Sequence, residues 1–365
     1  MTLKRMSLAL VCVLALAAGA VFAGCGSSDD DSGSGSGNGP KIALLLPESK
    51  TARYETQDKP NFEKKVSSLC PDCQVIYSNA DQDAAKQQQQ AEAALTQGAK
   101  VLVLDPVDAA SAVSIVKKAK AQDVPVISYD RLIDSSDIDA YISFNNEKVG
   151  KLQAQSLVDK MGNKGTIVMI NGAPTDNNAK LFKQGAHSVF DDSNLKIGKE
   201  YDTPDWSPDK AQDEMQQAIT ALGKDGFQGV YAANDGTAGG AIAAMKSSGV
   251  NPEDIPSTGQ DAELAAIQRI LAGTQYMTIY KAVKPEAEQA AQLAVLLAKG
   301  QSIKTNSLIT GDTEAGGAKI ASIILEPVVV TKDNVKDTIV KDGFWTAEQI
   351  CTPAYEADCK AAGIE

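Results

Sequence analysis

The chain has 365 residues, of which 43% are hydrophobic, and a formal net charge of −12 at pH 7. An acidic chain without a stripe of basic residues lacks the electrostatic footprint of a nucleic-acid-binding protein, so nucleic acid is excluded as a partner. Residues 41–365 are too many for one compact core and suit two domains.

The first 40 residues predict export and anchoring rather than a packed core. Residues 1–24 contain two basic residues, an apolar run and then small residues, which is the pattern of a secretory signal peptide. Cys25 follows in a context that resembles the lipobox of lipoproteins, although Phe22 stands where leucine is usual. The rest of residues 25–40 is Gly, Ser, Asp and Asn up to a final proline, a composition typical of a flexible tether. We expect Cys25 to be lipidated on the outer face of the cell membrane; the alternative is ordinary signal-peptidase cleavage that leaves Cys25 free.

Beyond residue 40, apolar runs of strand length alternate with helical patterns. We predict strands at residues 41–46, 74–77, 101–104, 124–129, 141–144, 166–170, 197–201, 229–233, 255–259 and 277–280. We predict helices at residues 59–69, 83–97, 108–122, 146–161, 178–190, 208–222, 237–247, 262–271 and 285–297. Because such alternation places helices on both faces of parallel sheets, we expect an α/β protein with two doubly wound units.

Polar side chains follow six of the predicted strands at their carboxyl ends, where open α/β sheets bind small molecules. The clearest stretch is 232–241, in which Asn234 and Asp235 follow a strand and glycines open the next helix. The amide donates and accepts while the carboxylate only accepts, a combination that suits a hydroxyl-rich small molecule better than a phosphate. Helix capping is the alternative role for both residues, and pairing with a neighbouring arginine is a further alternative for Asp235.

Six motifs point together to one family of proteins. They lie at residues 129–133, 143–150, 174–182, 234–240, 259–261 and 273–281. In combination they resemble the periplasmic sugar-binding proteins of ABC importers, and the resemblance extends from about residue 41 to residue 344. One departure is Asn145, where the family usually has aspartate; its position near a hinge connects it with closure more than with ligand contact.

The resemblance implies a periplasmic binding protein type I fold, in which two Rossmann-like lobes with parallel sheets are joined by three hinge crossings. It places the crossings near residues 144–145, 281–282 and 326–327. The implied segments are 41–143 with 282–326 for the N-terminal lobe, 144–281 with 327–350 for the C-terminal lobe, and a C-terminal tail with a local disulfide at 351–365.

The resemblance and the chemistry of the side chains together predict a ligand site. Arginine forks, carboxylates, a lysine and amides would hydrogen-bond to sugar hydroxyls, and flat aromatic faces would stack on the C–H faces of a pyranose. The predicted ligand residues are Arg53, Tyr54, Asp130, Arg131, Asn177, Asn178, Trp206, Asn234, Asp261 and Lys281. The alternatives are surface salt bridges for the two arginines and a core position for Trp206.

Four cysteines, Cys70, Cys73, Cys351 and Cys359, lie in the predicted folded body. A C-x-x-C pair can be a redox or zinc motif, but this pair follows a predicted helix instead of opening one, and the sole histidine is His187. We expect two local disulfides and no metal. Four cysteines allow three pairings, and the sequence leaves that choice open.

An enzyme is not expected, and no cofactor is implied. His187 lies within a predicted helix, and the chain has no G-x-S-x-G or H-E-x-x-H motif. Asp130 and Asp261 could imitate a glycosidase pair, but the arginines and Lys281 would hold both ionised and leave no general acid. A transcriptional regulator of the same architecture would carry a helix-turn-helix where this chain has its signal peptide.

The expected function is the capture of a monosaccharide, D-xylose first, between two closing lobes, and its delivery to an ABC permease with a cytoplasmic ATPase. The alternative is a broader aldose receptor, for glucose, arabinose or galactose, that feeds a chemosensory or signalling receptor. We expect a monomer that contacts the membrane through its N-terminal lipid.

Overall fold

Strands at the centre of the molecule form two separate groups of sheets. The computed structural model describes residues 39–304 and 306–364, so the predicted signal peptide, Cys25 and most of the tether lie outside the described residues. The strands are β1 Lys41–Leu46, β2 Gln74–Asn79, β3 Ala99–Leu104, β4 Val126–Tyr129, β5 Ala140–Phe144, β6 Gly165–Asn171, β7 Leu195–Asp202, β8 Gly229–Ala232, β9 Met277–Tyr280, β10 Gly311–Ala315, β11 Ala318–Leu325 and β12 Val328–Thr331.

Helices cover both faces of these sheets. The α-helices are α1 Lys59–Leu69, α2 Ala84–Thr96, α3 Val113–Lys120, α4 Asn146–Lys160, α5 Asn177–Phe190, α6 Pro208–Leu222, α7 Asp235–Ser247, α8 Leu264–Leu271, α9 Val283–Ala298, α10 Ala347–Ile350 and α11 Glu356–Ala361. Short π-helical segments at Tyr54–Asp58 and Lys336–Val340, and a 3₁₀ turn at Pro204–Trp206, complete the set in the described chain. The periodic pattern predicted α1 to α9, although α3 begins five residues later than expected, and it did not predict α10 and α11.

The first group is one seven-stranded sheet in the order β10-β11-β5-β4-β3-β1-β2. Its strands are parallel except for the β10–β11 hairpin. Alternate residues of β1 face opposite layers: Leu44 packs with α1 and α9, whereas Leu45 packs with α2 and α3. Burial on both faces explains why these strands read as continuous apolar runs in the sequence.

The second group contains the parallel sheet β7-β6-β8 and an antiparallel pair, β9–β12. Helices α4 and α5 cover one face of the sheet, and α6 and α7 cover the other. The strand predicted at 255–259 is wrong: only a single bridge joins Ser257 to Val230. Pro256 has no N–H to donate to a ladder, and positive φ at Asp261 soon turns the chain away.

Strands β10, β11 and β12 were not predicted from the sequence. Two of their pairings, β10 with β11 and β12 with β9, are antiparallel, whereas only parallel sheets were expected. β10 is a polar, mostly exposed edge strand, so it carries no apolar run.

The chain passes between the two groups after β5, after β9 and after β11, where the hinge crossings were predicted. Near the first crossing, the side chain of Asn145 caps α4 by accepting a hydrogen bond from the Lys148 N–H at 3.1 Å.

Disulfides join Cys70 to Cys73 and Cys351 to Cys359. The structure thus selects the two local pairings from the three that the sequence allowed. In residues 39–304 and 306–364, no helix has the length and apolar character needed to cross a membrane.

Removing the C-terminal bridge with Cys351→Ser and Cys359→Ser should lower the free energy of unfolding by about 2–3 kcal/mol, because the unfolded chain loses a closed loop. The same change at Cys70 and Cys73 should cost about 1–2 kcal/mol, since the cysteines are 3 residues apart there and 8 apart in the C-terminal bridge. Urea unfolding of the two double variants measures both losses. A larger loss at Cys70 and Cys73 would contradict this dependence on loop length.

Candidate functional site

A cavity lies where the carboxyl ends of strands of both groups meet. Its lining is polar or aromatic throughout. The lining residues are Thr51, Arg53, Tyr54, Asp130, Arg131, Asp176, Asn178, Phe182, Trp206, Asn234, Gln260, Asp261 and Lys281.

The ends of strands place several of these side chains. Asp130 and Arg131 directly follow β4, and Lys281 directly follows β9. Asn234 follows β8 and caps α7, because its Oδ1 accepts a hydrogen bond from the Thr237 N–H at 2.8 Å. The capping role and the cavity position therefore coexist in Asn234, and its amide Nδ2 is the group available to a ligand.

Two carboxylates hold the guanidinium of Arg53, which is only 2% exposed. Arg53 Nε and Nη2 donate to Asp58 at 3.0 and 2.7 Å, and Nη2 also donates to Glu286 at 2.9 Å. The remaining nitrogen, Nη1, has no hydrogen-bond partner among the described residues and lies 3.7 Å from Asp130 and 3.9 Å from Asp261. The carboxylates thus fix one edge of the guanidinium and leave a donor in the cleft.

Arg131 forms the second buried cluster, and its ion pair crosses the cleft. Its Nε lies 3.0 Å from Asp176 of the second group and 3.5 Å from Asp105 of the first. Asp176 also accepts a hydrogen bond from the indole N–H of Trp206 at 3.0 Å. Arg131 Nη2 donates to the hydroxyl of Tyr54 at 3.2 Å. One carboxylate thereby connects an arginine of the first group to an aromatic ring of the second.

Lys281 completes the charge balance of the cavity. Its Nζ lies 3.4 Å from Asp130 and 3.6 Å from Asp261. Burial by itself would raise the pKa of Asp130, but Lys281, Arg53 and Arg131 outweigh burial and lower that pKa to about 2. The carboxylate is therefore ionised at neutral pH and acts as a hydrogen-bond acceptor.

Aromatic rings form the apolar part of the lining. Phe182 and Trp206 meet edge to face, with ring centroids 6.3 Å apart. Gly172 supports this arrangement, because a Cβ atom at that position would lie 2.0 Å from Trp206 Cη2. The ring of Tyr54 lies against the guanidinium groups of Arg53 and Arg131, whose central carbons are 5.2 and 5.8 Å from its centroid.

Three cavity residues have strained backbone conformations. Asp130, Trp206 and Asp261 have φ values of 52°, 52° and 93°, which non-glycine residues rarely adopt. Strain of this kind collects at ligand sites and persists only where the surroundings enforce it. At Asp130, the backbone N–H donates to Ile142 at 2.8 Å and the carbonyl accepts from Asn178 Nδ2 at 3.0 Å.

Comparison with known proteins assigns the family. A model of the periplasmic binding protein domain matches residues 42–302. The chain belongs to the type I periplasmic binding proteins. Members of this family bind and hand over ligands and are not enzymes, in agreement with the sequence prediction.

Two curated relatives and one solved structure show what this binding protein is similar to. It is 39% identical over 308 residues to a D-xylose-binding periplasmic protein of Escherichia coli, a match covering 83% of this chain and 90% of the relative. It is 32% identical over 330 residues to the multiple sugar-binding periplasmic receptor ChvE of Rhizobium radiobacter, covering 85% and 92%. A carbohydrate transporter solute-binding protein from Chloroflexus aurantiacus, solved with D-glucose, superposes with a TM-score of 0.76 at 29% identity, covering 84% and 97%.

The structure brings nine of the ten predicted ligand residues to the cavity of this binding protein; the exception is Asn177, which is half-buried at the start of α5 and does not line it. The surface salt bridges considered for the arginines are wrong, because both side chains are buried. Asp235 does not line the cavity; its carboxylate accepts from Gln275 at 2.7 Å and Thr278 at 2.9 Å.

Sequence reasoning missed four lining residues, which are Thr51, Asp176, Phe182 and Gln260. The last three lie inside motifs that carried the family resemblance, so a signal was present but no role was assigned. Thr51 carried no such signal. His187 lies outside the cavity, where Nε2 contacts Glu200 at 3.0 Å.

Asp130 should make the stability of the protein depend on pH in acid. Because its folded pKa of about 2 is below the unfolded value, its contribution is fully present above about pH 4 and is lost as the pH falls toward 2. The difference in unfolding free energy between the native protein and Asp130→Asn should therefore shrink by about 1 kcal/mol from about pH 5 to about pH 3.

Urea unfolding at several pH values measures this difference. Asp213→Asn is the matched control, because it makes the same substitution at an exposed position of α6 that does not line the cavity. A difference for Asp130→Asn that stays constant from pH 5 to pH 3 would contradict the low pKa.

Proposed function

We propose that this chain is the extracytoplasmic substrate-binding protein of an ABC sugar importer, with a monosaccharide, D-xylose first, as its ligand. The observation that carries the proposal is a polar cavity between the two groups of strands in which every lining cation already has a carboxylate partner. The names of the relatives point to the same ligand class.

The paired charges favour a neutral ligand rich in hydroxyl groups. Arg53 and Lys281 both face Asp130 and Asp261, so an anionic ligand would meet two carboxylates as well as two cations. A sugar hydroxyl can accept a hydrogen bond from a cation and donate one to a carboxylate at the same time. Such charge-assisted bonds are the strong kind, and the aromatic rings supply apolar faces for the sugar ring.

D-xylose is the first candidate among the aldoses. Two D-xylose-binding periplasmic proteins are 39% and 36% identical to this chain over most of its length. The glucose complex of a more distant neighbour and the multiple-sugar receptor keep a broader aldose specificity as the alternative.

Contacts across the cleft support capture by closure of two lobes, which we place at 41–143 with 282–326 and at 144–281 with 327–350. Arg131 meets Asp176, and the Asp130 carbonyl accepts from Asn178, only when the two groups of elements approach each other. A sugar that bridges both groups favours the closed form by its differential affinity. The closed protein, a monomer, would then dock on a permease with a cytoplasmic ATPase.

The site of action follows from the N-terminal sequence. A signal peptide followed by Cys25 and a Gly/Ser tether supports export and lipid anchoring at the outer face of the cell membrane.

A thermal-shift panel tests the proposed ligand class. D-xylose should raise the unfolding temperature most, since a ligand at a thousandfold excess over its Kd stabilises the folded state by about 4 kcal/mol. D-glucose, L-arabinose and D-galactose test the broader specificity, and D-glucuronate serves as the charged control. Similar shifts with several aldoses would favour the broad receptor, and no shift with any of them would refute the sugar-binding proposal.

Asp261→Ala should weaken D-xylose binding by at least roughly thirtyfold, because truncating one partner in a buried charge network costs about 2 kcal/mol or more. Isothermal titration gives the Kd, and circular dichroism verifies that the variant is folded. Asp213→Ala, an exposed change on α6, is the matched control and should leave the Kd unchanged. An unaltered Kd in Asp261→Ala would remove this residue from the site.

A further inference from the structure

The segment that follows β12 packs against a ligand-bearing loop. The indole N–H of Trp345 donates to the backbone carbonyl of Ala262 at 2.8 Å. Ala262 directly follows Asp261, whose carboxylate lines the cavity. Trp345 is 8% exposed and does not itself reach the cavity. Its contact with the site is therefore made through the backbone of this loop.

The loop needs outside support because two consecutive residues have left-handed backbone conformations. Asp261 and Ala262 have φ values of 93° and 50°. From within the second group, the Asp261 N–H donates to Ile279 at 2.9 Å and the Ala262 N–H donates to the Thr278 hydroxyl at 3.3 Å. The indole N–H of Trp345 supplies the donor for the carbonyl of Ala262, which is fully buried. A strained conformation persists only when enough contacts of this kind enforce it.

The neighbouring residue, Phe344, contacts two more ligand-bearing segments. Its ring meets Tyr280 edge to face with centroids 5.1 Å apart, directly before Lys281. Its carbonyl accepts a hydrogen bond at 3.2 Å from Gln57, in the π-helical segment that begins with Tyr54. The rings of Phe344 and Trp345, whose centroids are 5.4 Å apart, thus belong to a segment that contacts ligand-bearing segments of both groups.

The rest of the C-terminal segment holds this aromatic pair in place. Ile339, Trp345 and Cys359 belong to one hydrophobic cluster that also contains Ala262 and residues of α8. The disulfide between Cys351 and Cys359 closes the segment on itself. Gln268 of α8 donates to the carbonyl of Ile350 at 3.1 Å.

We propose that Trp345 is a positioning residue for ligand binding: its N–H fixes the Ala262 carbonyl and thereby holds the carboxylate of Asp261 in the cleft. The proposal rests on the sugar site proposed above. It gives the C-terminal segment a role in affinity, although that segment follows the last strand and contributes no side chain to the cavity lining.

Trp345→Phe tests the proposal, because it keeps a buried aromatic ring and removes only the N–H donor and part of the ring system. We expect the Kd for D-xylose to rise roughly tenfold, since a buried carbonyl is left without its donor and the strained loop can relax. The chain has two tryptophans, so the fluorescence of Trp206 alone reports binding in this variant. Isothermal titration provides an independent Kd.

Ile339→Val is the matched control, because it removes a methyl group from the same cluster and keeps the indole N–H that donates to Ala262. It should lower the unfolding temperature and leave the Kd unchanged. A Kd of Trp345→Phe within twofold of the native value, with a lowered unfolding temperature, would show a purely structural role and overturn the proposal.

A second variant covers the case in which Trp345→Phe fails to fold. Cys351→Ser with Cys359→Ser loosens the segment while keeping the indole, and a smaller rise in Kd is expected. An unchanged Kd in this variant would then overturn the proposal. If the native protein binds none of the aldoses while remaining folded, the proposed function fails, and this inference fails with it.

Discussion

Charges that are buried at the ends of the strands have to be paired, and this requirement governs the whole cleft. An unpaired ion in a protein interior is costly, and breaking a buried pair is strongly destabilising. Arg53 meets Asp58 from its own segment and Glu286 from α9, which the chain reaches only after crossing between the two groups of strands and back. The cluster therefore exists only when the complete topology has formed.

Pairing also explains how a site with so many charges can serve a neutral ligand. Asp58 and Glu286 occupy most of the guanidinium of Arg53, and Asp130 balances Lys281. What remains for a ligand is a set of directed donors and acceptors with little net charge. A polyhydroxylated ring complements such a set because each hydroxyl both donates and accepts. Discrimination among sugars then follows from the position of each hydrogen bond.

Precise positioning requires a support layer behind the cavity. Asp130 and Asp261 have unfavourable backbone angles, and neighbouring hydrogen bonds enforce them. Gly172 provides the space that Trp206 occupies, and Trp345 holds the carbonyl next to Asp261. These supporting contacts come from segments that are remote in sequence, so the positions of the cavity side chains depend on the complete fold.

The sequence by itself determined the alternation of strands and helices, the two local cysteine pairs as candidates, and most of the polar residues at the strand ends. It could do so because burial on both faces of a parallel sheet leaves an apolar run, and because polar residues at the carboxyl ends of strands are visible locally. Only the tertiary structure decided that Asn178 faces the cavity and Asn177 does not, and that Asp176 joins Arg131 to Trp206. Only the tertiary structure also showed that residues 311–315 form the edge strand β10, because this polar segment carries no apolar pattern. The reason is the same in each case: the direction of a side chain at a helix start, a contact across a cleft and the partner of an edge strand depend on residues far away in the chain.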